Sequence, residues 1–215
     1  MPVTVKICGL KDIAGLEAAV SAGADMVGFV FFPPSPRAVT PAEAARLARH
    51  YQTGPKRVGL FVDPSDDLLT EVLTTVPLDI LQLHGAESPA RAGEIRRRFG
   101  KPVMKALGIG TKADLAVSAS YADQVDYFLL DARPPPESNL PGGNAHAFDW
   151  TLTKGAHLAR PWLLAGGLTP QNVAEAIAVS GAAGVDVSSG VEKARGVKDP
   201  AAIAAFIAAV RAQEA

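Results

Sequence analysis

Short apolar or β-branched runs recur along the chain, each followed by Gly, Pro or Asp and then by an alanine-rich stretch whose apolar residues repeat with helical spacing. Eight runs read as strands: Val3–Cys8, Met26–Phe32, Arg57–Val62, Asp79–His84, Pro102–Leu107, Asp126–Asp131, Pro161–Gly166 and Ala183–Ser189. The helical stretches fall near residues 12–22, 41–51, 65–75, 88–99, 111–120, 148–158, 170–180 and 199–212. Thr40-Pro41, Ser88-Pro89, Thr169-Pro170 and Asp199-Pro200 read as helix starts, an oxygen-bearing cap before a proline whose missing N–H costs nothing at the first helical position. Gly23, Gly54, Gly100 and Gly181 read as stops, supplying the left-handed residue that often follows a helix.

Regular alternation of strand and helix implies parallel strands joined by right-handed crossovers. A single-domain (β/α)8 TIM barrel over residues 1–215 is the simplest closure, with a doubly wound open sheet as the alternative. The strand faces favour the barrel. Val3, Val5 and Ile7 alternate with Thr4, Lys6 and Cys8; Leu81 and Leu83 with Gln82 and His84; Val185 and Val187 with Asp186 and Ser188. The apolar face suits helices, and polar groups near the carboxyl ends suit an interior that opens into a site. Residues 132–147 break the spacing with four of the 17 prolines and read as an active-site loop.

Composition narrows the functional classes. With 48% hydrophobic and 20% charged residues the chain is neither disordered nor a charged coiled coil. A net charge of -1, from 21 basic and 22 acidic residues, argues against a nucleic-acid platform or an anionic membrane surface. The single cysteine excludes an internal disulfide and a multi-cysteine metal site. Neither a signal segment nor a long apolar run is evident, so the expectation is a cytoplasmic, membrane-free protein, monomer or homodimer.

Several polar residues at strand ends could carry chemistry. Cys8 shares a face with Lys6; it is either a buried filler or a reactive thiol whose thiolate the ammonium favours. Asp131 either caps a turn with Arg133 or is a desolvated carboxylic acid able to donate a proton. Gly166 and Gly167 end the seventh strand, while Ser188, Ser189 and Gly190 follow Asp186 at the end of the eighth. Tight turns alone explain such glycines, but these two strand ends are where barrels commonly hold phosphate on backbone N–H groups. Arg37 is either solvent-facing or a bidentate partner for a substrate carboxylate, and Gln82 with His84 is either a packed pair or part of the site. The histidines show no metal-ligand spacing, and neither GxGxxG nor GxxxxGK[ST] occurs where KICGLKD stands, so no metal or nucleotide cofactor is implied.

KICGLKD at the start, GFVFFPPSPR at Gly28–Arg37, LQLHG at Leu81–Gly85, LLDA at Leu129–Ala132, and LAGGLTPQNV through GVDVSSGVE closely resemble the N-(5′-phosphoribosyl)anthranilate isomerase family. The resemblance spans essentially the whole chain, with the motifs in order. It implies a cofactor-free Amadori rearrangement of a phosphorylated substrate bearing an anthranilate, in tryptophan biosynthesis. By the same resemblance Cys8 is the general base, Asp131 the general acid and Arg37 the contact to the anthranilate carboxylate. Gly166-Gly167 and Ser188-Ser189-Gly190 correspond to its phosphate loops. Gly142-Gly143-Asn144-Ala145 departs from the family's glycine-ended run at Ala145, which puts the local loop geometry in question. A ribulose-phosphate epimerase would instead display a metal-binding histidine and aspartate set, and a non-catalytic binding barrel would not need Cys8 and Asp131.

Overall fold

A computed structural model describes residues 2–51, 53–133 and 148–214. The first half runs β1 (Thr4–Cys8), α1 (Ile13–Ser21), β2 (Met26–Val30), α2 (Pro41–Ala48), β3 (Lys56–Phe61), α3 (Asp66–Thr75), β4 (Ile80–Leu83) and α4 (Pro89–Phe99). The second runs β5 (Val103–Ile109), α5 (Lys112–Ala116), α6 (Ser118–Tyr121), β6 (Tyr127–Ala132), β7 (Trp162–Leu164), α7 (Val173–Ser180) and β8 (Gly184–Val187). A short hairpin, β9 (Glu192–Ala194) and β10 (Val197–Lys198), then precedes α8 (Pro200–Arg211).

Strands β1 to β8 pair in sequence order and close, since β1 also pairs with β8 in parallel register: Thr4 with Gly184, Val5 with Val185, Lys6 with Asp186 and Ile7 with Val187. Closure excludes the open sheet. The large apolar cluster joins Val5, Ile7, Leu81, Leu83, Phe128, Leu130, Val185 and Val187 to helix residues such as Leu16, Leu47, Ile95 and Phe206. A separate inner cluster of Met26, Val58, Ile80, Met104, Ala106, Leu129, Leu163 and Ala165 fills the barrel. Inward positions are therefore apolar towards the amino end and polar towards the carboxyl end, where Gln82, Asp131 and Asp186 are buried.

Thr40 and Glu43 form a reciprocal capping box at α2, and Ser88 and Asp199 cap α4 and α8, each before its proline. Gly100 and Gly181 close α4 and α7 in left-handed geometry. Three expectations change. The helix at 148–158 is only a 3₁₀ turn, Trp150–Thr153, because Asp149 caps it early and Gly155 at φ 72° ends it within one turn. Helix α7 begins at Val173 rather than Pro170, since Asn172 accepts from the Thr169 N–H and donates to the Gly167 carbonyl, holding the intervening residues in a turn. Helix α2 ends at Ala48, well before Gly54. The proposed loop at 132–147 lies almost wholly outside the described residues, and so do Gly142–Ala145. No helix among the described residues is long and apolar enough to cross a membrane.

Candidate functional site

Cys8 ends β1, and its sulfur reaches the interior through a notch in β2. Gly28 is its register partner, and a Cβ on Gly28 would lie 2.9 Å from Cys8 Sγ. One inward step below, Lys6 Nζ donates to Asp186 Oδ1 at 2.7 Å, with the Lys6 side chain fully buried. Burial disfavours the Lys6 ammonium, but Asp186 and Cys8 outweigh it and hold Lys6 above its ordinary value. The expected activation of the thiol by Lys6 does not win in the free protein. Burial pushes the Cys8 thiol up; Lys6 pulls it down, Asp186 pushes it up again, and Lys198 pulls it down too weakly to reverse the balance. The physical reason is that burial of the sulfur is the largest effect, and the Lys6 charge that opposes it is already shared with Asp186. Asp186 itself is thus the interior counter-charge to Lys6.

Asp131 enters the same end of the barrel from β6. Its Oδ1 accepts from the Ala132 N–H at 2.8 Å, and Oδ2 lies 3.4 Å from His84 Nε2. Arg133 pairs with Asp114, so the reading of Asp131 as a cap with Arg133 as partner does not hold. Gly166, at φ 85°, clears the space for this carboxyl: a Cβ there would sit 2.7 Å from the Ala132 nitrogen and 2.9 Å from Asp131 Oδ1. Gln82 Nε2 lies 3.1 Å from His84 Nδ1, and the other ring nitrogen, Nε2, faces Asp131. Gln82 and His84 therefore pack as a pair, and the pair adjoins Asp131.

The two glycine-bearing loops meet. Gly166 and Gly167 are consecutive left-handed residues after β7, at φ 85° and 64°. Gly190 lies in the 3₁₀ turn Ser189–Val191 after β8, and a Cβ on it would stand 1.8 Å from the Leu168 carbonyl oxygen. Ser188 Oγ donates to the Cys8 carbonyl at 3.1 Å, tying the β8 loop to the end of β1.

Arg37 is buried. Its Nε donates to Glu192 Oε1 at 2.7 Å and its Nη2 to Glu192 Oε2 at 3.1 Å. Lys198 Nζ bridges Glu192 Oε1 at 2.9 Å and the Ser188 carbonyl at 2.8 Å. Burial works against the Glu192 charge, yet Arg37, Lys198 and the Gly196 N–H together hold its carboxyl down at about 2, while burial lowers Lys198. Glu192 and Lys198 were not singled out in the sequence. The available signal was a charged residue on each side of the Gly196 turn, which has many surface counterparts.

A second buried pair, Lys105 and Glu87 at 2.9 Å, braces the loop after β4 from the helix side. Glu87 also accepts the N–H groups of Asp63 and Gly85, and Tyr121 donates to its carbonyl, so the segment following His84 is held from three sides. Among the described residues no group of three His, Cys, Asp or Glu side chains is placed to hold a metal ion. A cavity of about 450 Å³ lies at the opposite, amino end of the barrel, beside Thr4, Met26, Tyr127 and Arg160, away from Cys8 and Asp131.

The family model described as N-(5′-phosphoribosyl)anthranilate (PRA) isomerase matches residues 5–209. The N-(5′-phosphoribosyl)anthranilate isomerase of Paracoccus denitrificans is 59% identical over 208 residues, covering 97% of each chain. The crystal structure of phosphoribosyl anthranilate isomerase from Thermotoga maritima superposes with a TM-score of 0.87 at 36% identity, over 98% of this chain and 99% of that one. A phosphoribosyl anthranilate isomerase in complex with reduced 1-(o-carboxyphenylamino)-1-deoxyribulose 5-phosphate superposes with a TM-score of 0.85 at 35% identity, over the same shares.

Proposed function

The chain belongs to the N-(5′-phosphoribosyl)anthranilate isomerase family, intramolecular isomerases of tryptophan biosynthesis, and on that premise we propose that Cys8 and Asp131 divide the acid–base work. The reaction is the Amadori rearrangement of N-(5-phospho-β-D-ribosyl)anthranilate to 1-(2-carboxyphenylamino)-1-deoxy-D-ribulose 5-phosphate. Asp131 gives its carboxyl proton to the ribose ring oxygen as the C1′–O bond breaks, leaving an iminium and a carboxylate. Cys8, as thiolate, then takes the C2′ proton, and the resulting enolamine tautomerises to the ketone. Each group meets a different substrate atom, so the two need not touch.

The observation that carries this reading is that each side chain occupies a notch only glycine leaves open, Gly28 against Sγ and Gly166 against the Asp131 carboxyl, at one end of one barrel. The raised thiol supports a base that is scarce but strong once ionised. Gly166, Gly167, Ser188, Ser189 and Gly190 hold the phosphate in this reading, with Ser188 oriented by Lys198 and the Cys8 carbonyl. Arg37 takes the anthranilate carboxylate. Gln82 and His84 orient Asp131, and Asp186 balances Lys6 beneath the base.

The test is turnover of synthetic phosphoribosylanthranilate, followed by its fluorescence, in Cys8→Ser. The hydroxyl nearly conserves volume but is a far weaker acid than the thiol, so the folded variant should lose about 10²–10⁴-fold in kcat. Wild-type kcat in a folded Cys8→Ser protein would remove Cys8 as the base.

A further inference from the structure

The guanidinium of Arg37 has two edges that can grip a carboxylate. One is made of Nε–H and one Nη2–H; the other, at the tip, is made of Nη1 and the second Nη2–H. Glu192 occupies the first edge through both of its oxygens. The tip edge is free, and among the described residues Nη1 has no partner. A planar fork held along one edge cannot rotate about its long axis, so the direction of the other edge is set by Glu192.

That direction is fixed from several sides. A Cβ on Gly9, at φ 77°, would lie 2.7 Å from Arg37 Cδ and 3.2 Å from Ser188 Oγ, so the arginine stem runs across the residue directly after Cys8. The hairpin of β9 and β10 reaches back over the loop after β2: a Cβ on Gly196 would sit 2.5 Å from the Pro36 carbonyl oxygen. The Gly196 N–H donates to Glu192 Oε2 at 3.0 Å, and Lys198 ties Glu192 Oε1 to Ser188. Glu192 and Lys198 side chains are 5% and 0% exposed, so the cluster is desolvated and its geometry is stiff. Arg37, Glu192 and Lys198 leave one net positive charge, which matches one incoming carboxylate.

We infer that Glu192 is a positioning residue: by holding the Nε edge of Arg37 it aims the tip edge at the carboxylate of the bound anthranilate. This rests on the reading of Arg37 given above. It also joins the two anionic ends of the substrate mechanically, because the chain Arg37–Glu192–Lys198–Ser188 connects the carboxylate contact to the phosphate loop. Glu192 in this role selects for an ortho-carboxylate on the aromatic ring without touching the substrate.

The experiment compares two unreactive ligands by calorimetry: the reduced product, 1-(2-carboxyphenylamino)-1-deoxyribitol 5-phosphate, and its phenylamino counterpart lacking the carboxylate. Both carry the phosphate, so one ratio, the Kd of the counterpart divided by the Kd of the reduced product, isolates the carboxylate contact. In Glu192→Gln the ratio should fall about tenfold, the equivalent of one charge-assisted hydrogen bond, because the tip edge loses its aim. Added Arg37→Gln should lower it no further than Arg37→Gln alone. Loss of fold quality alone would weaken both ligands equally and leave the ratio unmoved. A ratio that holds or rises in Glu192→Gln, as expected if Glu192 merely neutralised Arg37, overturns the proposal. If Arg37→Gln also keeps the wild-type ratio, the reading of Arg37 itself fails. Should Glu192→Gln not fold, Glu192→Asp, which keeps the charge but withdraws it by one methylene, is judged by the same ratio.

Discussion

The contact between the two loops assigned to phosphate admits a quantitative test in Gly190→Ala. Gly190 has no left-handed φ, so alanine there brings no backbone penalty of its own. Its Cβ, however, would stand 1.8 Å from the Leu168 carbonyl oxygen, 2.9 Å from the Leu168 carbonyl carbon and 3.2 Å from Thr169 Cα. These are backbone atoms, and no rotamer relieves the overlap. Opening the shortest contact to about 3.0 Å, where real Cβ contacts begin, separates the loops by about 1.2 Å. The ladder beneath, where Leu164 pairs with Val185, stays intact, so the barrel should remain closed. A misplacement of about 1 Å at a binding constellation costs on the order of 10²-fold, so kcat/KM for phosphoribosylanthranilate should fall by about that factor, with weaker binding of the reduced product. The control is Gly181→Ala, at φ 71° with no atom within 4 Å of its new Cβ. It should cost about 1 kcal/mol in thermal unfolding through its left-handed geometry and leave KM alone. A Gly190→Ala enzyme with KM and kcat within twofold of wild type would refute the reasoning that these loops form one rigid grip.

Asp131→Asn should keep the fold and bind the reduced product while losing about 10²–10⁴-fold in kcat, since an amide cannot give the carboxyl proton; wild-type kcat across pH would remove Asp131 as the acid. The thiolate absorbance of Cys8, unambiguous with a single cysteine, should titrate above the ordinary thiol value, because burial outweighs Lys6; a midpoint at or below it would contradict the balance of charges described. Glu87→Ala should cost about 3–5 kcal/mol in urea unfolding, because it leaves the buried Lys105 ammonium without its counter-charge, held only by the Gly85 and Leu83 carbonyls, and takes the acceptor from the Asp63 and Gly85 N–H groups; a loss under about 1 kcal/mol would show that water reaches the pair. Glu192 is held at about 2, so below its ordinary value of 4.5 the unfolded chain binds the proton first. Its stabilisation is full well above pH 4.5 and fades as pH falls to about 2, so wild type should lose more stability than Glu192→Gln between pH 7 and 3, by about 2 kcal/mol; equal losses would contradict it.

Much of the architecture was legible in the sequence because its causes are local. A strand with one face against helices must alternate, and Val5 and Ile7 against Lys6 and Cys8, or Leu81 and Leu83 against Gln82 and His84, state which face is which. Caps at Thr40, Ser88 and Asp199 were equally readable, since a cap concerns a residue and the three that follow it. Thr169-Pro170 misled for the complementary reason: Asn172 held that turn by its own side chain and started the helix itself. The positions of Cys8, Asp131 and the loops after β7 and β8 followed from strand order, because a parallel barrel gathers all its carboxyl ends at one rim.

Tertiary structure decided which charges face which. Lys6 sits two residues from Cys8, and from the sequence its ammonium is free to activate the thiol; in the fold it meets Asp186, 180 residues away, and burial then governs the sulfur. Arg37 reads as a free arginine on a loop, yet Glu192, 155 residues away, takes one edge of its fork and leaves the other. Periodicity reports which face of a strand is buried, because burial depends on a residue's own polarity and that of its near neighbours. Pairing among buried charges depends on closure of the barrel, which brings the first strand against the last and lays the hairpin after β8 over the loop after β2. Those contacts exist only once distant segments share a desolvated interior, where a charge's partner determines its chemistry more strongly than its position along the chain.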